Sequence, residues 1–445
     1  MIKRLPLRLR AASYALRGGF LIRPLLIALG LGLCGAVLSA AEEAYPLTSS
    51  FVPAFLFPSH QDPAVAQSIL SVIASSTMTV VSIVFAILLM TLTLASMQFS
   101  PRILISFVRD RGTQWTLGIF LGTFCYCVAA MPTARSLPHP FSPIATVCGA
   151  MVLAVLCVGW LLFFIQHISH AISVNHIVDR IAGETEEVIF DLMPHPRNEH
   201  APAQVPSIAH DHYDHAISCS TSGYIRIIDT QALLHFAKTY HLRIRVTRKI
   251  GDFVPRGVPL LMLSKNPADE SATRELLAAF DIGPMRSLQQ DVEYGIIQIA
   301  DIALRAISPA VNDPSTAISA IDQLTRIMIT WLSRQPPETN LCDPPYVVRV
   351  IIPWIDFSGL LDTAIEQIRA YATGDAAVSL RLLRMLQDLA ITTPNTAPNA
   401  ALRAEMFIRG VGVVEGCKPH LPPADIQRLA IRLKNLEKIT TPAAI

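Results

Sequence analysis

Charge is what this sequence has least of. Asp, Glu, Lys and Arg make up 16% of its 445 residues, where a water-soluble protein carries about 25%. The shortage is local. Between Pro24 and Ile168 charged residues are sparse, and after Asp179 they return to a soluble density. One part of the chain is built for lipid and the other for water.

Other absences narrow the function. There is no C-x-x-C pair and no zinc-finger spacing. Cys34, Cys125, Cys127, Cys148 and Cys157 fall in apolar stretches, and Cys219, Cys342 and Cys417 in the more polar part. They read as small apolar residues and reduced thiols, not as a disulfide framework. The formal net charge is only +2, and no basic run is interleaved with aromatics, so nothing points to nucleic acid. No P-loop, hydrolase, kinase or metallopeptidase spacing occurs. The chain therefore reads as a non-enzyme, with no catalytic residue, cofactor or metal assigned.

What the chain does have is four long apolar stretches, at about Leu25–Ala41, Ile69–Leu94, Trp115–Met131 and Ile144–Ile168. Each is near or above the roughly 17 residues a spanning helix needs. Basic residues set the direction. Lys3, Arg4, Arg8, Arg10, Arg17 and Arg23 precede the first stretch, and Glu42–Gln67 contains no Lys or Arg. Arg102, Arg109 and Arg111 lie between the second and third stretches, and only Arg135 between the third and fourth. The positive-inside bias then puts both termini in the cytoplasm of a multi-pass inner (plasma) membrane protein. Leu38-Ser39-Ala40 before Ala41-Glu42 also resembles a signal-peptidase site. The long basic leader and Pro24 at the start of the apolar run favour a retained first span.

The expected fold class is thus a membrane α-helical domain of four transmembrane helices plus a cytoplasmic α+β domain. The divisions are a basic N-terminus (1–23), the four-helix domain (24–170), a helix extending from span four (171–197), a His-rich linker (198–215), a small β-rich subdomain (216–265) and a mainly helical subdomain (266–445). The extension keeps helical spacing through Ile172, Ile177, Ile181 and Val188, so spans and soluble domain could share one continuous helix.

Span two carries a polar stripe. Ser71, Ser75, Thr79 and Ser82 recur at steps of three and four, which holds them on one face. Such a face has two uses: close helix packing with hydrogen bonds across the contact, or a wet path through the bilayer. No charged side chain sits inside spans two to four, against a carboxylate-driven pump. Gly118 and Gly122 suit close helix contact. His167 and His170, one turn apart at the end of span four, read as interfacial anchors, with metal binding or proton relay as the sharper alternative. The linker histidines His200, His210, His212 and His215 read as a solvated loop.

In the soluble part, Tyr224–Asp229, Leu242–Thr247, Val258–Leu263 and Tyr346–Ile355 read as strands, and Gly251-Asp252-Phe253-Val254 resembles the turn of small biotinyl-like barrels. Hence the cytoplasmic domain is expected to include a small β-barrel-like part beside a helical part. From Asp291 the pattern turns helical, with Asp313 as N-cap and Pro314 at the first helical position of a second helix. Asp291, Glu293, Asp301, Arg305, Asn312 and Asp313 make this the most polar helical stretch. They form either a ligand site or an intramolecular network that fixes two helices and a turn.

Several segments together resemble one bacterial family of predicted membrane proteins with a domain of unknown function. They are Ser96-Met97-Gln98-Phe99-Ser100-Pro101-Arg102, Arg109-Asp110-Arg111-Gly112, Phe163–Ile168, Gln290-Asp291-Val292-Glu293-Tyr294-Gly295 and Ala306–Pro314. The resemblance spans roughly Ser68–Ile391 and implies the two-part layout but no activity. Functionally the expectation is an oligomeric channel or passive transporter gated by its cytoplasmic domain. The alternative is a membrane-anchored sensor or scaffold. The expected partners are the lipid bilayer and further copies of the chain, with no nucleic acid.

Overall fold

The structure is a computed structural model. It describes residues 21–45, 62–98, 110–135, 141–171, 173–197, 212–266, 270–343, 347–394, 396 and 399–441. The basic residues at 3–17, Arg102, Arg109 and the linker histidines His200 and His210 lie outside the described residues. So do the side chains of Ser96–Gln98 and His170. Two compact units divide between Ser173 and Val174.

Among the described residues the first unit contains four helices long and apolar enough to cross a membrane: α1 (Ile22–Ala44), α2 (Pro63–Gln98), α3 (Arg111–Ala130) and α4 (Ile144–Ala171). In lipid every backbone amide must be satisfied within its own segment, and the helix does this. α1 runs along α3, and glycines set how closely. A side chain at Gly35 would come within 2.6 Å of the Tyr126 carbonyl oxygen, and side chains at Gly118 and Gly122 would run into Ile27 and Leu31. The close contact expected of Gly118 and Gly122 is thus made with α1. α2 packs on α3 and α4 through Ala66, Leu70, Ala74 and Val84, all buried.

The second unit is α+β. It opens with α5 (Val174–Leu192), β1 (His215–Ser218), β2 (Gly223–Ile228), α6 (Thr230–Thr239), β3 (Ile244–Val246), β4 (Phe253–Val254) and β5 (Pro259–Leu263). Then come α7 (Glu270–Leu277), β6 (Phe280–Gly283), α8 (Val292–Ala306), α9 (Pro314–Leu332), β7 (Asn340–Asp343) and β8 (Val347–Ile351). The chain closes with α10 (Phe357–Tyr371), α11 (Ala376–Thr392), α12 (Ala400–Cys417) and α13 (Pro423–Thr440).

The strands form two open sheets, ordered β1-β5-β3-β8-β7 and β4-β2-β6. The barrel-like expectation is not met, because no sheet closes on itself among the described residues. The physical reason is long-range pairing. β3 takes β8 as a parallel neighbour, with Ile244 opposite Val350, and β2 takes β6. Both sheets share one apolar core that includes Ile225, Leu233, Phe236, Ile244, Leu261 and Val350. α4 is helical to Ala171 and α5 from Val174; the junction on which the continuous-helix expectation falls includes Ile172, which lies outside the described residues.

α5 is built into the second unit. It packs on α8 and α9, with Ile177, Ile181, Thr185 and Ile189 buried. Gly295 on α8 makes the approach possible, since any side chain there would overlap Thr185. Arg326 of α9 reaches Glu186 at 2.5 Å and Asp179 at 2.9 Å, and Thr330 donates to Glu186 at 2.7 Å.

Candidate functional site

In the membrane unit the candidate face is on α2. Ser71, Ser75, Thr79 and Ser82 are all exposed, whereas Leu70, Ala74, Thr77 and Val84 face the bundle. Among the described residues the stripe therefore takes no part in packing within the chain. Three of its hydroxyls are satisfied by their own helix: Ser75 donates to Val72, Thr79 to Ser75 and Ser82 to Met78, at 3.0–3.1 Å. A hydroxyl so bonded can rest against lipid without an orphan donor, yet its oxygen still accepts a further bond.

His167 meets a partner that sequence spacing did not supply. Its Nε2 lies 2.7 Å from Asp110 Oδ2. Asp110 is also the N-cap of α3 and accepts from the Thr113 amide at 2.8 Å. Gly112 leaves room, because a side chain there would sit 2.6 Å from the imidazole. The His167 ring stacks on Phe163, with centroids 5.6 Å apart. Burial raises the Asp110 carboxyl, but the Thr113 and His167 hydrogen bonds outweigh it and hold the group below its usual range. His167 is therefore a clasp between α3 and α4.

At the opposite end of the bundle, Glu42 is 1% exposed. It accepts from the amides of Ala145 and Thr146 at 2.8 and 3.0 Å and from the Thr146 hydroxyl at 3.0 Å. A carboxylate on the N-terminus of α4 satisfies orphan donors and suits the helix dipole. Neighbouring Glu43 pairs with Arg135. Sequence reading passed over Glu42 because it closes an apolar run, with nothing local to show what it would cap.

In the second unit the six polar candidates divide between two places. Asp291 and Glu293 start α8, whereas Asn312 and Asp313 sit beyond its far end, about 22 Å away for 15 helical residues at ~1.5 Å each. Asp301 and Arg305 lie between, one turn apart and each engaged. The stretch is not one pocket.

The α8 start is an ion network. Arg286 Nε and Nη2 donate to Asp291 Oδ2 and Oδ1, both at 2.7 Å, and Nη2 also donates to Glu293 at 2.8 Å. Lys249 Nζ is 3.2 Å from Glu293, and Thr363 of α10 donates to the same carboxylate at 3.3 Å. Asp291 caps α8 by accepting from the Tyr294 amide at 3.0 Å. Gln290 accepts from the Ile228 amide at 2.9 Å, tying the network to β2. Burial pushes the Asp291 carboxyl up against the pull of Arg286. Burial also acts on Glu293, but Arg286 and Lys249 overcome it and hold that carboxyl down. Every acid here is saturated by protein, so the arrangement fixes β-turn, α8 and α10 together.

The α8–α9 turn is a local device. Asn312 takes φ 50°, a left-handed conformation that Asn tolerates. Asp313 then caps α9, accepting from the Thr316 amide at 3.2 Å and its hydroxyl at 2.6 Å. Those bonds hold the Asp313 carboxyl below its usual range. Residues missed in sequence are Arg286, Lys249, Gln290 and Thr363, whose partners lie up to 70 residues away. Among the described residues no group of three His, Cys, Asp or Glu side chains could hold a metal ion.

Residues 17–388 match the family described as "Predicted membrane protein (DUF2254)". Uncharacterized proteins of Mycobacterium tuberculosis and Mycobacterium bovis are 29% identical over 390 residues, covering 86% of this chain and 73% of theirs. No solved structure matches.

Proposed function

This chain belongs to that family of predicted membrane proteins, and from this premise we propose that it is a homo-oligomeric passive channel. It sits in the bacterial inner membrane with both termini in the cytoplasm. Copies meet through the outward face of α2, and Ser71, Ser75, Thr79 and Ser82 line a path for small polar solutes or ions. The observation that carries this reading is the exposure of all four residues, one helical face turned away from its own bundle. Small residues there favour helix association, and rows of hydroxyls replace part of a solute's hydration shell. The path has no charged ring, so selectivity is weak and flux follows the gradient. Gating falls to the soluble unit, supported by the burial of α5, the first helix after the membrane unit, against α8 and α9.

Flux from proteoliposomes tests the proposal. Ser75→Leu with Thr79→Leu abolishes flux or changes its selectivity, while the chain still inserts. No flux from the wild type, or equal flux from the variant, overturns it.

A further inference from the structure

We infer that the outer face of the five-stranded sheet is a binding site for a phosphate group, built around Arg243, Arg245 and Arg349. Strand register brings the three together. Ile244 pairs with Val350 and Arg245 with Ile351. The inward residues Ile244, Val246 and Val350 are buried, so Arg243, Arg245 and Arg349 share the other face. One step back in that register sets Arg243 beside Arg349 on adjacent strands, about 4.8 Å apart.

Like charges side by side on a sheet destabilise it unless something compensates. Arg243 is already engaged within the chain, whereas among the described residues the other two guanidiniums have no carboxylate. Arg245 lies over the Tyr213 ring, 4.3 Å from its centroid. Among the described residues Arg349 makes no ion pair or hydrogen bond, and its buried Nε is an orphan donor. Burying a guanidinium N–H without an acceptor is costly. A compact oxyanion resolves both costs at once. It supplies acceptors in the fork geometry that guanidinium matches best, and it neutralises the row. Arg248 and Lys265, both exposed at the ends of β3 and β5, extend the positive field. Tyr213 provides a flat apolar wall beside the anion. The chemistry selects a phosphate group; a lipid headgroup and a soluble phosphate both carry it.

Hydrogen exchange on the full chain tests the site in two arms. In neutral phosphatidylcholine nanodiscs, inorganic phosphate is added. In the second arm the discs contain phosphatidic acid and no free phosphate. Slowed exchange of β3 and β8 amides in the first arm assigns a soluble phosphate, and in the second arm alone a headgroup. Arg349→Gln loses the protection, and Arg349→Lys, which keeps charge without the fork, weakens binding several-fold. Far-UV circular dichroism of both variants establishes that they fold. Protection in neither arm, or protection unchanged in a folded Arg349→Gln, overturns the inference.

Discussion

Gly251 stands where a side chain would collide with the Arg286 guanidinium and lie 2.6 Å from Asp291 Oδ2. Its φ of 87° belongs to the left-handed region that glycine enters freely. The turn before β4 and the start of α8 are thereby pressed together. The segments Gly251–Val254 and Gln290–Gly295, 39 residues apart by number, are two halves of one joint.

Gly251→Ala strains the backbone and displaces Arg286. The expected loss is about 2–4 kcal/mol, from a strained φ plus a disturbed ion pair. Chemical denaturation of the purified protein, followed by the soluble unit's signal, measures it. A loss below about 0.5 kcal/mol would show that the joint is slack.

Arg286→Met leaves Asp291, only 3% exposed, without its counter-ion. Breaking one side of a buried pair costs about 3–5 kcal/mol. Asp291→Asn with Arg286→Met restores part of the loss, because two compensated neutral groups replace one stranded charge. A double-mutant cycle reports the coupling.

Glu293 sets a pH dependence. Its folded carboxyl lies below the ordinary value of 4.5, so its contribution is complete above pH 4.5 and is lost as pH falls through the folded value. Asp291 has the opposite sign, since a raised carboxyl gains stability on protonation. Melting curves between pH 6 and 3 should therefore separate the two. Glu293→Gln flattens the acid fall, and Asp291→Asn does not.

Glu42→Ala removes three hydrogen bonds from the start of α4. A lost cap costs about 1–2 kcal/mol, and the unpaired amides add to it. Thermal unfolding in detergent should drop by several degrees, with no change in the soluble unit's own transition. Glu42→Gln, which keeps an acceptor, recovers part of the loss.

The four long apolar helices, together with α5, α8 and α9 of the second unit, were legible in the sequence, because hydropathy and the 3.6-residue period are local signals. Asp313 and Pro314 were legible for the same reason, since capping is decided within four residues. The helix at α12 was missed, its apolar residues being spread around the cylinder rather than along one stripe. The barrel-like reading of the strands is not confirmed, because β3 pairs with β8 across about 100 residues and no local pattern encodes that choice.

By itself the sequence determined that this chain carries four helices long and apolar enough to cross a membrane and continues into an α+β unit. Lipid and water impose those requirements residue by residue. Only the tertiary structure decided which polar groups meet: Glu42 with α4, His167 with Asp110, and Arg286 with Asp291 and Glu293. It also decided that the hydroxyl face of α2 is turned outward. Partnership depends on which surfaces pack, and packing is a property of the whole chain.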